Sequence, residues 1–158
     1  IRSASESSHF RKLLLRRYYH LKGLVQKKRK KYKEAVDYFL KGVDLSSHEW
    51  GSSSLFNENS ALFYFELGHS YFLSGQLFES EKWLRKLGYL TLSRYFFGDL
   101  YAKSLYYLGK IFQKKGWVGK AIESYDHFIL MWGNGDREIV GEMITDAEKQ
   151  VKLLETKI

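Results

Sequence analysis

The chain has 158 residues, 44% of them hydrophobic and 17% aromatic, enough apolar mass to bury a core, so disorder is excluded. It contains no cysteine, which rules out disulfides, thiolate metal sites and thiol nucleophiles, and no proline, which leaves long helices uninterrupted. The net charge of +8 is concentrated at one end, since residues 1–33 hold twelve Lys/Arg against Glu6 alone and the remainder is slightly acidic.

Seven helices are predicted in chain order. The first, about 6–29, ends in the basic run KKRKK, and the second covers about 32–45. The connector SSHEWGSSSLFNEN (46–59) leads into a third helix, about 57–74, with Asn57 as a candidate N-cap. A fourth, about 77–91, is followed by LSRYFFGD (92–99) and a fifth, about 99–115, with Asp99 as its candidate N-cap. The sixth, about 118–132, and GNGD (133–136) precede the last, about 137–156. There Ile139, Met143, Ile144, Ala147, Val151 and Leu154 recur at helical spacing, as expected of a helix that covers an exposed end. The longest apolar runs, Leu62–Phe65 and Phe128–Trp132, are far below the roughly 20 residues that span a membrane. The N-terminus has no secretory pattern, because Arg11, Arg16 and Arg17 interrupt its apolar stretch, and Ile in first place points to a fragment or processed product. A cytoplasmic location is expected.

Three segments share one register. Anchored on Gly23, Gly68 and Gly109, small residues fall twelve positions later (Ala35, Ser80, Ala121) and large ones sixteen later (Phe39, Leu84, Tyr125). Leu67 and Leu108 precede the glycine where the first copy has Lys22, and Gly75 and Gly116 stand where it has Lys30. Each copy reads as a helix–turn–helix. The first glycine admits close helix approach despite costing about 1 kcal/mol relative to alanine, and the second closes the first helix in a left-handed conformation. Such units bury an apolar face only by stacking.

The pattern Leu108, Gly109, Phe112, Gly116, Ala121 and Tyr125 resembles the tetratricopeptide repeat, and Ser80 replaces the usual alanine in the second copy. The copies are offset by more than the family's period of about 34 residues, and its frequent terminal proline is missing. The run GDLYAKSLYYLGKIFQKKGWVGKAIESYDHFILMW is similar to C-terminal repeats of bacterial multidomain signalling proteins. The resemblance implies an all-α, right-handed α-solenoid forming one domain over 1–158, with repeats at about 14–45, 61–91 and 102–132 and a capping helix at 137–156. It also implies a non-enzymatic protein–protein interaction scaffold that binds a peptide or partner domain in a concave groove. Projected groove residues are Arg17, His20, Leu24 and Lys27 in the first copy, Leu62, Phe65, His69, Phe72 and Leu73 in the second, and Lys103, Tyr106, Lys110, Gln113 and Lys114 in the third. Phe65, Phe72 and Tyr106 are expected to be at least partly accessible anchors beside Lys103 and Lys110, suited to an acidic, partly apolar segment. Some members grip a C-terminal carboxylate with paired Asn and Lys; the matching places here hold Arg17, Leu21, Glu66, Lys103 and Tyr107, without the asparagines, which disfavours that ligand.

No residue set carries catalysis, a metal or a cofactor. The histidines His9, His20, His48, His69 and His127 have no metal-binding spacing, GWVGK at 116–120 lacks phosphate-loop spacing, and Gly133-Asn134-Gly135 follows no strand. The basic patch Lys27, Lys28, Arg29, Lys30, Lys31 and Lys33 reads first as a solvated turn. It reads second as an anion or nucleic-acid site, although only Tyr32 offers stacking there. End-to-end self-assembly of incompletely capped repeats is the structural alternative to scaffolding.

Overall fold

The computed structural model describes residues 2–45, 60–89, 97–135 and 137–157, without the side chains of 2–9, 89, 137 and 139. The Asn57 cap and the 46–59 connector lie outside the described residues. Among those described the chain is all-helical, with α1 (Arg2–Lys28), α2 (Tyr32–Asp44), α3 (Ser60–Leu73), α4 (Leu77–Tyr89), α5 (Gly98–Lys114), α6 (Val118–Trp132) and α7 (Arg137–Glu155). Neighbouring helices pair as repeated hairpins, the local arrangement of an α-solenoid. Two compact units divide the chain, residues 1–80 and 81–158.

The three hairpin turns are built alike. Lys30, Gly75 and Gly116 have positive φ angles of 62°, 79° and 74°. The amide of each donates to the carbonyl three residues back (Lys27, Phe72, Gln113), and the next amide reaches five back (Gln26, Tyr71, Phe112). This is the Schellman closure, which satisfies carbonyls that the helix end leaves open. The following helix then starts the same way, with Ala35, Ser80 and Ala121 donating to Lys31, Gln76 and Trp117. Lys31 and Trp117 have nearly the same dihedrals (φ −89°, ψ 68° and φ −89°, ψ 72°), and neither supplies a side-chain cap. Asp99 is not the cap of α5. That place belongs to Phe97, and Asp99 sits in the first turn, where its charge suits the helix N-terminus and its carboxylate lies 3.4 Å from Lys103.

In unit 1, α1 packs against α2, and α2 against α3. A Cβ at Gly23 would run into the Phe39 ring, and one at Gly42 into the Phe63 ring, so both helix pairs close through a glycine facing a phenylalanine. Ser80 Oγ donates to the Gly68 carbonyl at 2.7 Å, which shows how the small residue reaches the glycine's backbone. In unit 2, α5 packs against α6, and α6 against α7. A Cβ at Gly109 would lie 2.7 Å from the Tyr125 ring. The close approach therefore belongs to the large residue sixteen positions on, with the small residue beside it. Val140, Ile144, Ala147 and Leu154 of α7 are buried, as the capping role requires.

Candidate functional site

In unit 1 the first helices of successive hairpins, α1 and α3, present polar and aromatic side chains to one another. Lys27 Nζ pairs with Glu66 Oε2 and joins the two helices. His20 lies between Phe39 and Phe63, with ring centroids 6.0 and 5.3 Å away, and its buried Nε2 has no hydrogen-bond partner among the described residues. Burial lowers the His20 pKa below 6.5, against the pull of Glu66 and with the push of Lys27. Burial and then Lys27 bring His69 down to about 4. His69 tilts against Phe65 at 5.8 Å. Towards the N-terminal half of α1 these helices line a small, partly open pocket bounded by Leu13, Arg16, Arg17, His20, Leu62 and Phe63. The Arg16 guanidinium lies 5.4 Å above the Phe63 ring and donates to Ser60 Oγ at 3.4 Å.

In unit 2 the equivalent face of α5 is tied to α7. Tyr106 donates its hydroxyl proton to Asp146 Oδ2 at 2.6 Å and accepts from Lys110 Nζ at 2.6 Å, while Lys110 also pairs with Asp146 at 3.0 Å. Gln150 donates to Asp146 Oδ1, Gln113 donates to Gln150, and Tyr125 donates to Gln113, which completes the chain of bonds. Burial raises the Tyr106 pKa, and Asp146 raises it further. Burial alone would raise the Asp146 pKa too, but hydrogen bonds from Tyr106, Lys110 and Gln150 and the Lys110 charge hold it below the usual carboxylate value.

The projected anchors divide. Phe65 and Tyr106 are only 7% and 6% exposed, so the accessibility expected of them is not met. Each stands three residues before its repeat glycine, as His20 does, and that position faces a neighbouring helix. Phe72, His69 and Lys103 are half-buried, and Lys110 is half-buried within its ion pair. In the basic patch Lys27 is drawn into the Glu66 pair, whereas Lys28, Arg29, Lys30, Lys31 and Lys33 are exposed, and Lys31 pairs with Glu34. Sequence reading missed Arg16, Phe63, Asp146 and Gln150. For Arg16 a signal existed, since it follows Leu13 by three residues and so points with the apolar face. For Asp146 and Gln150 there was none, because long-range polar pairing leaves no periodic trace.

The model of the family described as the tetratricopeptide repeat matches residues 17–49. Residues 17–49 are thus similar to a tetratricopeptide repeat. The match falls on the first hairpin, which departs most from the shared pattern through Lys22 and Lys30. A comparison with curated proteins gives no match. Tetratricopeptide repeats generally mediate protein–protein interaction and are typically non-enzymatic. Among the described residues no three His, Asp or Glu side chains come together as a metal site, and no helix is long and apolar enough to cross a membrane.

Proposed function

We propose that this chain is a non-enzymatic scaffold that holds an acidic, partly apolar protein segment on the face that α1 and α3 form in unit 1. The observation that carries this reading is the pocket between α1 and α3, where Arg16 and Arg17 sit beside Leu13, Leu62 and Phe63. Guanidinium groups over apolar walls suit a carboxylate carried next to an apolar side chain. Phe72 and His69 extend the proposed ligand-facing set within unit 1, with Phe65 supporting it from beneath rather than as an exposed anchor.

The test is titration of fluorescent peptides that pair Asp/Glu with Leu/Phe against the intact chain. Arg17 is exposed, so Arg17→Glu is expected to weaken binding about tenfold or more with little change in melting temperature. Unchanged affinity in that variant, or no binding by any such peptide, would overturn the reading.

A further inference from the structure

On the outer side of α1, Phe10, Leu14, Tyr18, Leu21 and Val25 are spaced by four, four, three and four residues and are 60%, 48%, 48%, 62% and 45% exposed. That spacing places all five on one stripe of the helix. Arg17 and Lys28 border the stripe on one side, and Arg11, Lys22 and Arg29 on the other, all exposed. No acidic residue occurs on α1 beyond Glu6. A stripe of five large apolar residues on a helix whose opposite side is already packed against α2 is unlike the outer face of α7, where among the described side chains Leu153 is the large apolar residue left exposed.

The shared register shows what shape this stripe fits. Tyr18 stands five residues before its repeat glycine, as Phe63 does in α3, and Phe63 is buried at Gly42 and 6.4 Å from the Phe39 ring, both on α2. Val25 stands two after its glycine, as do Ser70 and Ile111, and Leu14 corresponds to Leu100. All three counterparts are buried. The face that α3 offers to a helix is therefore left open on α1, enlarged in side-chain volume and edged with positive charge.

We infer that the outer face of α1 docks an amphipathic α-helix of a partner protein, with apolar residues along its centre and carboxylates on both flanks. The partner helix lies on Leu14, Tyr18, Leu21 and Val25, meeting Tyr18 as α2 meets Phe63, and its flanking carboxylates meet Arg11, Lys22 and Arg29 on one side and Arg17 and Lys28 on the other. A helical occupant is favoured over a flat anionic surface because Phe63, at the position of Tyr18 in α3, receives α2. A second copy pairing α1 with α1 would bring two basic edges together. This surface shares only Arg17 with the pocket between α1 and α3, and the variants below leave Arg17 unchanged, so either reading stands if the other fails.

The probe is a designed helical peptide of about 20 residues, long enough to hold its fold, with leucines along one stripe and glutamates on both edges. Binding to the intact chain is read by fluorescence anisotropy. The double variant Leu14→Glu/Leu21→Glu is expected to weaken it about tenfold or more, and a peptide with serine for every leucine is expected to lose a similar factor. Phe10→Ser/Leu21→Ser serves as a second variant at the two most exposed positions, with far-UV circular dichroism as the check that both variants fold. Equal binding by the serine peptide would mean charge alone and overturn the inference. So would unchanged affinity in both variants, stronger binding to phosphatidylserine vesicles than to the peptide, or a wild-type dimer that dissociates when the stripe is altered.

Discussion

Lys30 is the residue at which the first hairpin departs most from its siblings. It holds a left-handed backbone, φ 62°, where Gly75 and Gly116 hold theirs without a Cβ. That conformation costs a side-chain-bearing residue about 1 kcal/mol, so Lys30→Gly is expected to stabilise the chain by roughly 0.5–1 kcal/mol. A urea midpoint that falls in this variant would show the turn to be held by the lysine side chain instead. The shared register makes a second comparison. Gly109→Leu drives a side chain into the Tyr125 ring and is expected to cost about 3 kcal/mol or more, whereas Lys110→Leu removes a partly exposed ion pair worth about 1 kcal/mol. Equal losses of melting temperature would break the alignment of the copies. The anchoring glycines and the large residues sixteen positions on were legible in the sequence because both recur. Gly42 was not, because the matching places in the other copies hold Leu87 and Phe128, and only the bulk of Phe63 across from it explains the glycine.

Among the helices, boundaries were legible to within a few residues because the turn glycines mark them, and the apolar spacing of α7 identified it as the cover of the third hairpin. What the pattern did not reveal is that α7 also binds α5 through polar groups. Tyr106 and Lys110 were read as a binding face because an aromatic beside a lysine on a first helix looks like an exposed anchor. Asp146, forty residues later, takes both. Tyr106→Ala is therefore expected to destabilise unit 2 by about 3 kcal/mol, through lost ring packing and an exposed polar gap. Tyr106→Phe should cost about 1 kcal/mol, since Asp146 keeps Lys110 and Gln150. Thermal unfolding of the two variants separates these outcomes, and a Tyr106→Ala variant as stable as wild type would return Tyr106 to the accessible surface.

At the scale of the whole molecule, stability should depend on pH through groups that repetition does not predict. His69 titrates near 4 in the folded chain against 6.5 ordinarily, and His20 shifts the same way beside Glu66 and Lys27. Between these values the unfolded chain binds more protons, so stability is full above about pH 6.5 and falls as pH drops towards 4. A loss of about 1–3 kcal/mol is expected from His69. Asp146 and Glu81, both held below their ordinary values, add a further loss as pH falls through their folded-state titrations. His69→Gln should flatten the upper part of this profile in urea unfolding at pH 7 and pH 5, and an unchanged slope would show that His69 is solvated. The charge asymmetry was visible in the composition from the outset, but its division between a paired Lys27 and an exposed run beyond it required the packing of α1 on α3.

The recurring hairpin closure has a consequence in time as well as in space. Each of the three hairpin turns is sealed by bonds spanning three to five residues, and Gly23 and Gly109 each meet an aromatic ring sixteen residues on, so structure can nucleate without closing a long loop. Chains of such local contacts reach the native state in microseconds to milliseconds. The hairpins need not start equally, however. The one that must force Lys30 into a left-handed turn faces a higher barrier than the one that bends at Gly116, so refolding is expected to begin in the α5–α6 pair. Lys30→Gly should then quicken formation of the α1–α2 hairpin, and stopped-flow fluorescence of Trp117 beside Phe112 should report the α5–α6 hairpin at an unaltered rate.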